Sequence, residues 1–124
     1  MTPSDIKVQK QKRQLALIYK DQAPVFLSFE FLRVHSPSAE VRGHGVGQEV
    51  LQVGKKDVSI LNIEPVGNYG IKISFDDKHD SGIFSWDYLY QCTQNQDKMW
   101  ASYLKKLEDS HQTRIPSTIS FKAL

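Results

Sequence analysis

The chain has 124 residues, which is the size of one domain and leaves no room for a second, catalytic one. Sixteen basic and 14 acidic side chains give a formal net charge of +2, too small and too mixed to indicate a nucleic-acid partner. The single cysteine excludes an internal disulfide, and no apolar run reaches the roughly 18 residues of a membrane-spanning helix. We therefore expect a cytoplasmic protein that binds neither nucleic acid nor a membrane.

Alternating apolar residues predict two strands within the first twenty residues, one around Ile6 and one ending at Tyr19. A third short strand is predicted from Pro24 to Leu27. Ser28 is then placed to cap a brief helix, which Pro37 limits because the residue before a proline avoids helical angles. The segment from 41 to 54 holds four of the seven glycines and is predicted to be a long loop, which in a compact domain is commonly functional or mobile.

The second half of the chain is predicted to begin with a strand from 58 to 66. The segment 64–86 is interpreted as one hairpin with a polar loop from 76 to 81, after which Ser85 caps a helix. An amphipathic helix is expected from about Asp97 to Asp109, and the polar sequence 112–124 is expected to be a flexible tail. These elements predict a small α+β domain over 1–111, with a mainly antiparallel sheet of five to six short strands and two to three helices.

No catalytic set can be defended from the sequence. Cys92 lies on a predicted helix with no assigned base and is interpreted as a buried structural thiol. Among the four histidines, which are His35, His44, His79 and His111, no pair has the three- or four-residue spacing of helical metal ligands. His79 stands beside acidic residues in a loop and is interpreted as a surface residue; it is the only candidate metal ligand.

Several residues without an obvious core role lie in predicted loops, where rigid scaffolds often carry their binding residues. They form the candidate binding surface: His44, Tyr69, Asp77, His79 and Asp80. The leading hypothesis is therefore a non-enzymatic binding or accessory module with an unknown protein partner.

Four segments together resemble a known family: 31–33 (Phe-Leu-Arg), 36–41 (Ser-Pro-Ser-Ala-Glu-Val), 63–69 (Ile-Glu-Pro-Val-Gly-Asn-Tyr) and 75–86, which begins Phe-Asp-Asp-Lys-His-Asp. The chain resembles the gamma-butyrobetaine hydroxylase-like N-terminal domain over roughly residues 5 to 95. The resemblance implies a small α+β domain that occurs alone in bacteria, fused to Mrp-type iron–sulfur carrier ATPases, or ahead of the oxygenase domain of carnitine-pathway hydroxylases. It connects the predicted binding module with iron–sulfur or other metal-protein maturation.

The resemblance also implies a zinc ion, which the hydroxylases hold through cysteines that follow the Leu-Arg pair and one later histidine. The positions that match the cysteines are Ser36, Ser38 and Val41, and only His79 matches a ligand. Serine is a poor zinc ligand and valine is none, so no cofactor is expected at this set: the zinc ion should be absent or held differently. The alternative hypothesis is a domain that binds zinc or iron, or a metal-dependent enzyme, that uses His79. Hydroxylase activity is not expected, because its iron and 2-oxoglutarate ligands belong to a domain that this sequence lacks.

Overall fold

The computed structural model describes residues 1–43, 45 and 47–117. Within these ranges the elements follow one another as β1 (Asp5–Gln9), β2 (Gln14–Ile18), β3 (Val25–Ser28), α1 (Phe29–Val34), α2 (Ala39–Arg42), β4 (Ile60–Val66), β5 (Gly70–Phe75), β6 (Gly82–Ser85), α3 (Trp86–Gln94) and α4 (Gln96–Asp109). The α+β prediction is confirmed. The six described strands form two antiparallel three-stranded sheets, ordered β1-β2-β3 and β4-β5-β6, and the described helices number four.

Both predicted helix caps, Ser28 and Ser85, are present. The Ser28 hydroxyl accepts a hydrogen bond from the Phe31 backbone N–H at 2.9 Å, and the Ser85 hydroxyl accepts one from Tyr88 at 3.1 Å. Each satisfies one of the N–H groups that the first turn of a helix leaves without an internal partner. Both serines also end a strand, so each sheet passes directly into a helix, β3 into α1 and β6 into α3.

The two sheets share one hydrophobic core. Alternate residues of β2 and β5, together with the inner faces of α1 and α3, are buried in it: Leu15, Leu17, Phe29, Phe31, Leu32, Ile71, Ile73, Phe75, Leu89 and Cys92. A smaller cluster of Val34, Tyr103 and Leu107 packs α4 against the end of α1. The period-two burial of β5 agrees with the alternation predicted from the sequence.

The segment that the sequence indicated as one hairpin contains two tight connections. β4 pairs with β5 from Ile60↔Phe75 to Val66↔Gly70, with a register irregularity after Ile60, and β5 pairs with β6 from Gly70↔Ser85 to Ile73↔Gly82. The hairpin prediction holds for β5 and β6, whose loop carries residues 76–81. β4, which corresponds to the strand predicted from 58 to 66, joins the hairpin as a third strand through the turn at 67–69.

The beginning of the predicted tail is bound to the domain. The backbone N–H groups of Gly54 and Lys56 donate hydrogen bonds to the carbonyls of Thr113 and Arg114, both at 2.9 Å. Residues 118–124 lie outside the described part of the chain. No helix in the described ranges is both long enough and apolar enough to span a membrane.

Candidate functional site

His79 lies at the centre of a buried hydrogen-bond cluster. Its Nε2 atom is 2.8 Å from the Ser36 Oγ and 3.2 Å from the Ser38 Oγ, and its Nδ1 atom is 3.2 Å from the Glu40 Oε2. Ser36, Ser38 and His79 are 1%, 5% and 4% exposed, so the interpretation of His79 as a surface residue was wrong. We call Ser36, Ser38, Glu40 and His79 the serine–histidine latch, because they join the segment around α2 to the β5–β6 loop.

The loop that carries His79 is closed by its own backbone. The Phe75 N–H donates to the His79 carbonyl at 2.8 Å, and the His79 N–H donates to the Asp77 Oδ1 at 3.2 Å. Lys78 between them has a φ of 69°, a left-handed conformation that is uncommon for a residue with a side chain. The turn therefore directs the imidazole inward, a result of tertiary packing that a polar loop sequence does not reveal.

The ring of His79 is held as a neutral imidazole. Burial lowers the pKa of His79, the nearby Arg33 charge lowers it further, and the carboxylates of Glu40 and Asp77 oppose the shift. A carboxylate can only accept a hydrogen bond, so we assign the ring proton to Nδ1, which donates it to Glu40. Nε2 is then an acceptor, and the closer hydroxyl, that of Ser36, donates to it.

The contacts run from a serine hydroxyl to a histidine ring and from that ring to a glutamate carboxylate, as in the catalytic triads of nucleophilic hydrolases. Ser36 is 1% exposed, however, and Gly82 lies directly against its hydroxyl, because a Cβ placed on Gly82 would overlap the Ser36 Oγ. In this arrangement a substrate cannot reach the oxygen. The geometry therefore supports a structural role for the latch.

Asp77 forms a second, charged contact beside the latch. Its Oδ2 lies 2.7 Å from the Arg33 Nε and 2.6 Å from the Lys55 Nζ, and Arg33 also donates to the Gln52 side chain at 3.0 Å. Burial raises the pKa of Asp77, but the hydrogen bonds and charges of Lys55 and Arg33 outweigh it and lower that pKa overall. Asp77 thus joins the β5–β6 loop to α1 and to the segment before β4.

The remaining members of the candidate binding surface are not drawn into this cluster. Tyr69 is 55% exposed in the β4–β5 turn, and Asp80 is exposed in the β5–β6 loop. His44 lies outside the described residues. Of the five predicted residues, Asp77 and His79 are brought together and face inward, while Tyr69 and Asp80 remain available at the surface.

A separate groove lies next to the glycine-containing segment. It has a volume of about 1150 Å³, and its lining comes from residues 34–36, 41–43, 45, 47 and 49–52 and from the facing sides of α3 and α4. We call it the helix–loop groove. Sequence reasoning singled out the glycine-containing loop but missed the opposite wall, because the polar residues of α3 and α4 read as ordinary solvated helix faces.

The donor set of the latch does not fit zinc. Two neutral hydroxyls and one imidazole replace the thiolates and imidazole that zinc prefers, and no group of three His, Cys, Asp or Glu side chains suited to a metal occurs in the described ranges. The Ser36 hydroxyl donates to Nε2 instead, and this bond uses the lone pair with which the imidazole would bind zinc.

Acid should destabilise the fold through its buried histidines. The pKa values of His79 and of the half-buried His35 are both lowered from 6.5, chiefly by burial. Near and below pH 6.5 the unfolded chain therefore binds more protons than the folded chain does. The free energy of unfolding falls as the pH drops below about 6.5. Urea unfolding from pH 8 to pH 5 measures this slope. The slope should be smaller in His79→Gln than in the natural chain, with His111→Gln, at an exposed histidine, as the control substitution. Equal slopes in His79→Gln and the natural chain would contradict the assignment.

Comparison with known structures places the whole chain among small proteins of similar fold. One protein solved by NMR is 46% identical with a TM-score of 0.82, over 99% of this chain and 97% of that one. A second NMR structure is 40% identical with a TM-score of 0.77, over 98% and 93%. A crystal structure from Acidithiobacillus ferrooxidans, of a DUF971-family protein with unknown function, is 32% identical with a TM-score of 0.60, over 73% and 90%.

No curated protein matched the chain. The sequence model described as "Gamma-butyrobetaine hydroxylase-like, N-terminal" matches residues 6–90, which include the serine–histidine latch and both sheets apart from Asp5. This match spans more than half of the sequence and agrees with the resemblance carried by the four segments named above. The chain therefore belongs to the gamma-butyrobetaine hydroxylase-like N-terminal domain family.

Proposed function

We propose that this protein is a non-enzymatic binding module that serves iron–sulfur or other metal-protein maturation, and that it holds a protein partner in the helix–loop groove. The observation that carries the proposal is the groove itself, with its volume of about 1150 Å³. Pockets for small ligands usually measure about 300 to 1,000 Å³, so this groove suits a short polypeptide segment better than a metabolite. The link to metal-protein maturation rests on the family's occurrence beside iron–sulfur carrier ATPases.

The charge of the groove indicates what kind of segment it suits. Arg42, Lys98 and Lys106 contribute three cations to its lining, against one carboxylate from Glu49. No carboxylate in the described part of the chain lies within 4.0 Å of any of the three cationic groups. Complementary charge steers association and excludes wrong partners, so an acidic segment is the favoured occupant.

The groove lining also has an apolar part, which could bind a large apolar side chain of the partner. Val41, Leu51, Met99 and Tyr103 contribute to it, and the Arg42 guanidinium lies over the Tyr88 ring at 5.2 Å from its centroid. Interfaces of this kind gain most of their affinity from a few aromatic, Arg and apolar contacts at the centre. We therefore expect the partner segment to combine acidic residues with at least one large apolar side chain.

The serine–histidine latch contacts α2, the short helix that supplies part of the groove lining. Ser38 and Glu40, which contact His79, flank the start of α2, and the same helix supplies Val41 and Arg42 to the groove. We assign Asp77 and His79 a positioning role for the partner site. Tyr69 and Asp80, which are outside the groove lining, are proposed as further contact residues of the same module.

Charge reversal on α4 tests the proposal. Immobilised protein is used to capture partners from nuclease-treated native lysate, and the captured proteins are identified by mass spectrometry and analysed for iron and zinc. Lys98→Glu/Lys106→Glu should reduce recovery of the specific partner by about tenfold or more, which corresponds to about 1.4 kcal/mol. Lys10→Glu/Lys12→Glu is the matched control, because it makes the same charge change on an exposed turn far along the sequence from the groove.

Several outcomes would contradict the proposal. Equal loss in the groove variant and the control would show a general charge effect, and capture that occurs only from lysate without nuclease treatment would show a nucleic-acid partner. A partner that carries no metal centre and delivers none would remove the maturation role while leaving the groove as a binding site. Tyr69→Ala/Asp80→Ala, measured in the same way, determines whether the contact face extends beyond the groove.

A further inference from the structure

We infer that the serine–histidine latch is a metal-free counterpart of a zinc site, which keeps the frame of such a site and lacks only its sulfur ligands. The latch contains two side chains, Ser36 and Ser38, that converge on the Nε2 of one imidazole. On the other side of the ring, Glu40 receives the Nδ1 proton. A histidine that binds zinc commonly donates its second ring N–H to a carboxylate in the same way, which fixes the tautomer and the ring orientation.

The Ser38 side chain contacts His79 and does not cap the helix that it precedes. It occupies the N-cap position of α2, yet its side chain makes no capping hydrogen bond. Ser28 and Ser85 hold the same position on α1 and α3 with nearly the same backbone angles, and both cap their helices. The difference is that Ser38 directs its hydroxyl to the Nε2 of His79.

A third ligand position lies one helical turn further on. The Val41 N–H donates to the Ser38 carbonyl at 3.1 Å, which places Val41 in the first turn after a residue that contacts His79. Val41 is also buried, with 7% of its surface exposed. Cysteines at 36 and 38 would replace the two hydroxyls on Nε2 of His79, and we expect a third cysteine at 41 to complete the Cys₃His set of a structural zinc site.

The test converts the latch. We expect Ser36→Cys/Ser38→Cys/Val41→Cys, purified without a histidine tag, to bind about one zinc ion per chain, and the untagged natural chain to bind none. Elemental analysis gives the stoichiometry, and the absorption spectrum after cobalt substitution reports tetrahedral thiolate ligation. EDTA should lower the Tm of the triple variant and leave that of the natural chain unchanged. His79→Ala in the triple variant should abolish stoichiometric binding and remove the effect of EDTA.

Ser36→Cys/Ser38→Cys is the second variant, because the triple variant introduces three changes into a packed region. If the triple variant does not fold, this double variant serves as the test. We expect it to take up cobalt with a weaker thiolate absorption than three cysteines would give. The inference is overturned if the natural chain carries near-stoichiometric metal that His79→Ala removes. It is equally overturned if the folded cysteine variants take up no metal, because the frame would then not be that of a zinc site. Partner capture is measured on charge variants that keep Ser36, Ser38, Val41 and His79, so the two proposals can fail separately.

Discussion

Replacing Gly70 by alanine should destabilise the protein by about 3 kcal/mol, near the upper end of what overpacking usually costs. Gly70 opens β5 and pairs with Ser85 of β6. A Cβ at this position would overlap the carbonyl oxygen of Phe84 and lie 2.9 Å from the Ser85 Cα. These are backbone atoms, so they cannot rotate away as a flexible side chain would. Phe84 is fully buried and Ser85 caps α3, so any shift also disturbs the core and the helix.

The measurement is urea unfolding of Gly70→Ala beside Gly45→Ala. Apart from its two chain neighbours, no heavy atom of the described residues lies within 4 Å of a Cβ placed at Gly45, so this control should change the free energy of unfolding by less than about 0.5 kcal/mol. A Gly70→Ala variant as stable as the natural chain would mean that β5 and β6 pair in a different register. It would then also place the His79 loop differently relative to α2.

Much of the secondary structure could be predicted because its causes are local. Ser28 and Ser85 cap helices within three residues of themselves, and the alternation of Ile71, Ile73 and Phe75 follows from the strand period. The sequence could not indicate that the strands divide into two sheets. That division depends on the shared core between them, which joins residues from β2 and β5 that are more than fifty positions apart.

The candidate site was harder to predict for the same reason. A histidine between acidic residues in a polar loop is typical of a surface position, yet His79 meets Ser36 and Ser38, which lie 43 and 41 residues away. Pattern alone carries no signal for that contact. Only the family resemblance connected these three positions, and it did so as a set of zinc ligands whose chemistry the chain does not retain.

Replacing Arg114 by alanine should cost about 2 to 3 kcal/mol, because it leaves a buried carboxylate without its partner. Glu30 on α1 is 6% exposed, and Arg114 holds it with two hydrogen bonds, Nε to Oε2 at 2.8 Å and Nη2 to Oε1 at 2.6 Å. Arg114 also covers the Trp100 ring, at 5.1 Å from its centroid. The arginine side chain is 36% exposed, so some water can replace it, which keeps the cost below that of a fully buried pair.

Thermal and urea unfolding of Arg114→Ala give the cost, and Glu30→Gln/Arg114→Ala separates its causes. The double variant should recover part of the loss, because a neutral amide is cheaper to bury unpaired than a carboxylate. Lys72→Ala is the control: its pair with Glu64 is exposed and 3.8 Å long, so it should cost less than about 0.5 kcal/mol. If Arg114→Ala were no worse than Lys72→Ala, the folded domain would end near residue 111, as the sequence predicted. The expected larger loss instead extends the folded unit at least to Arg114.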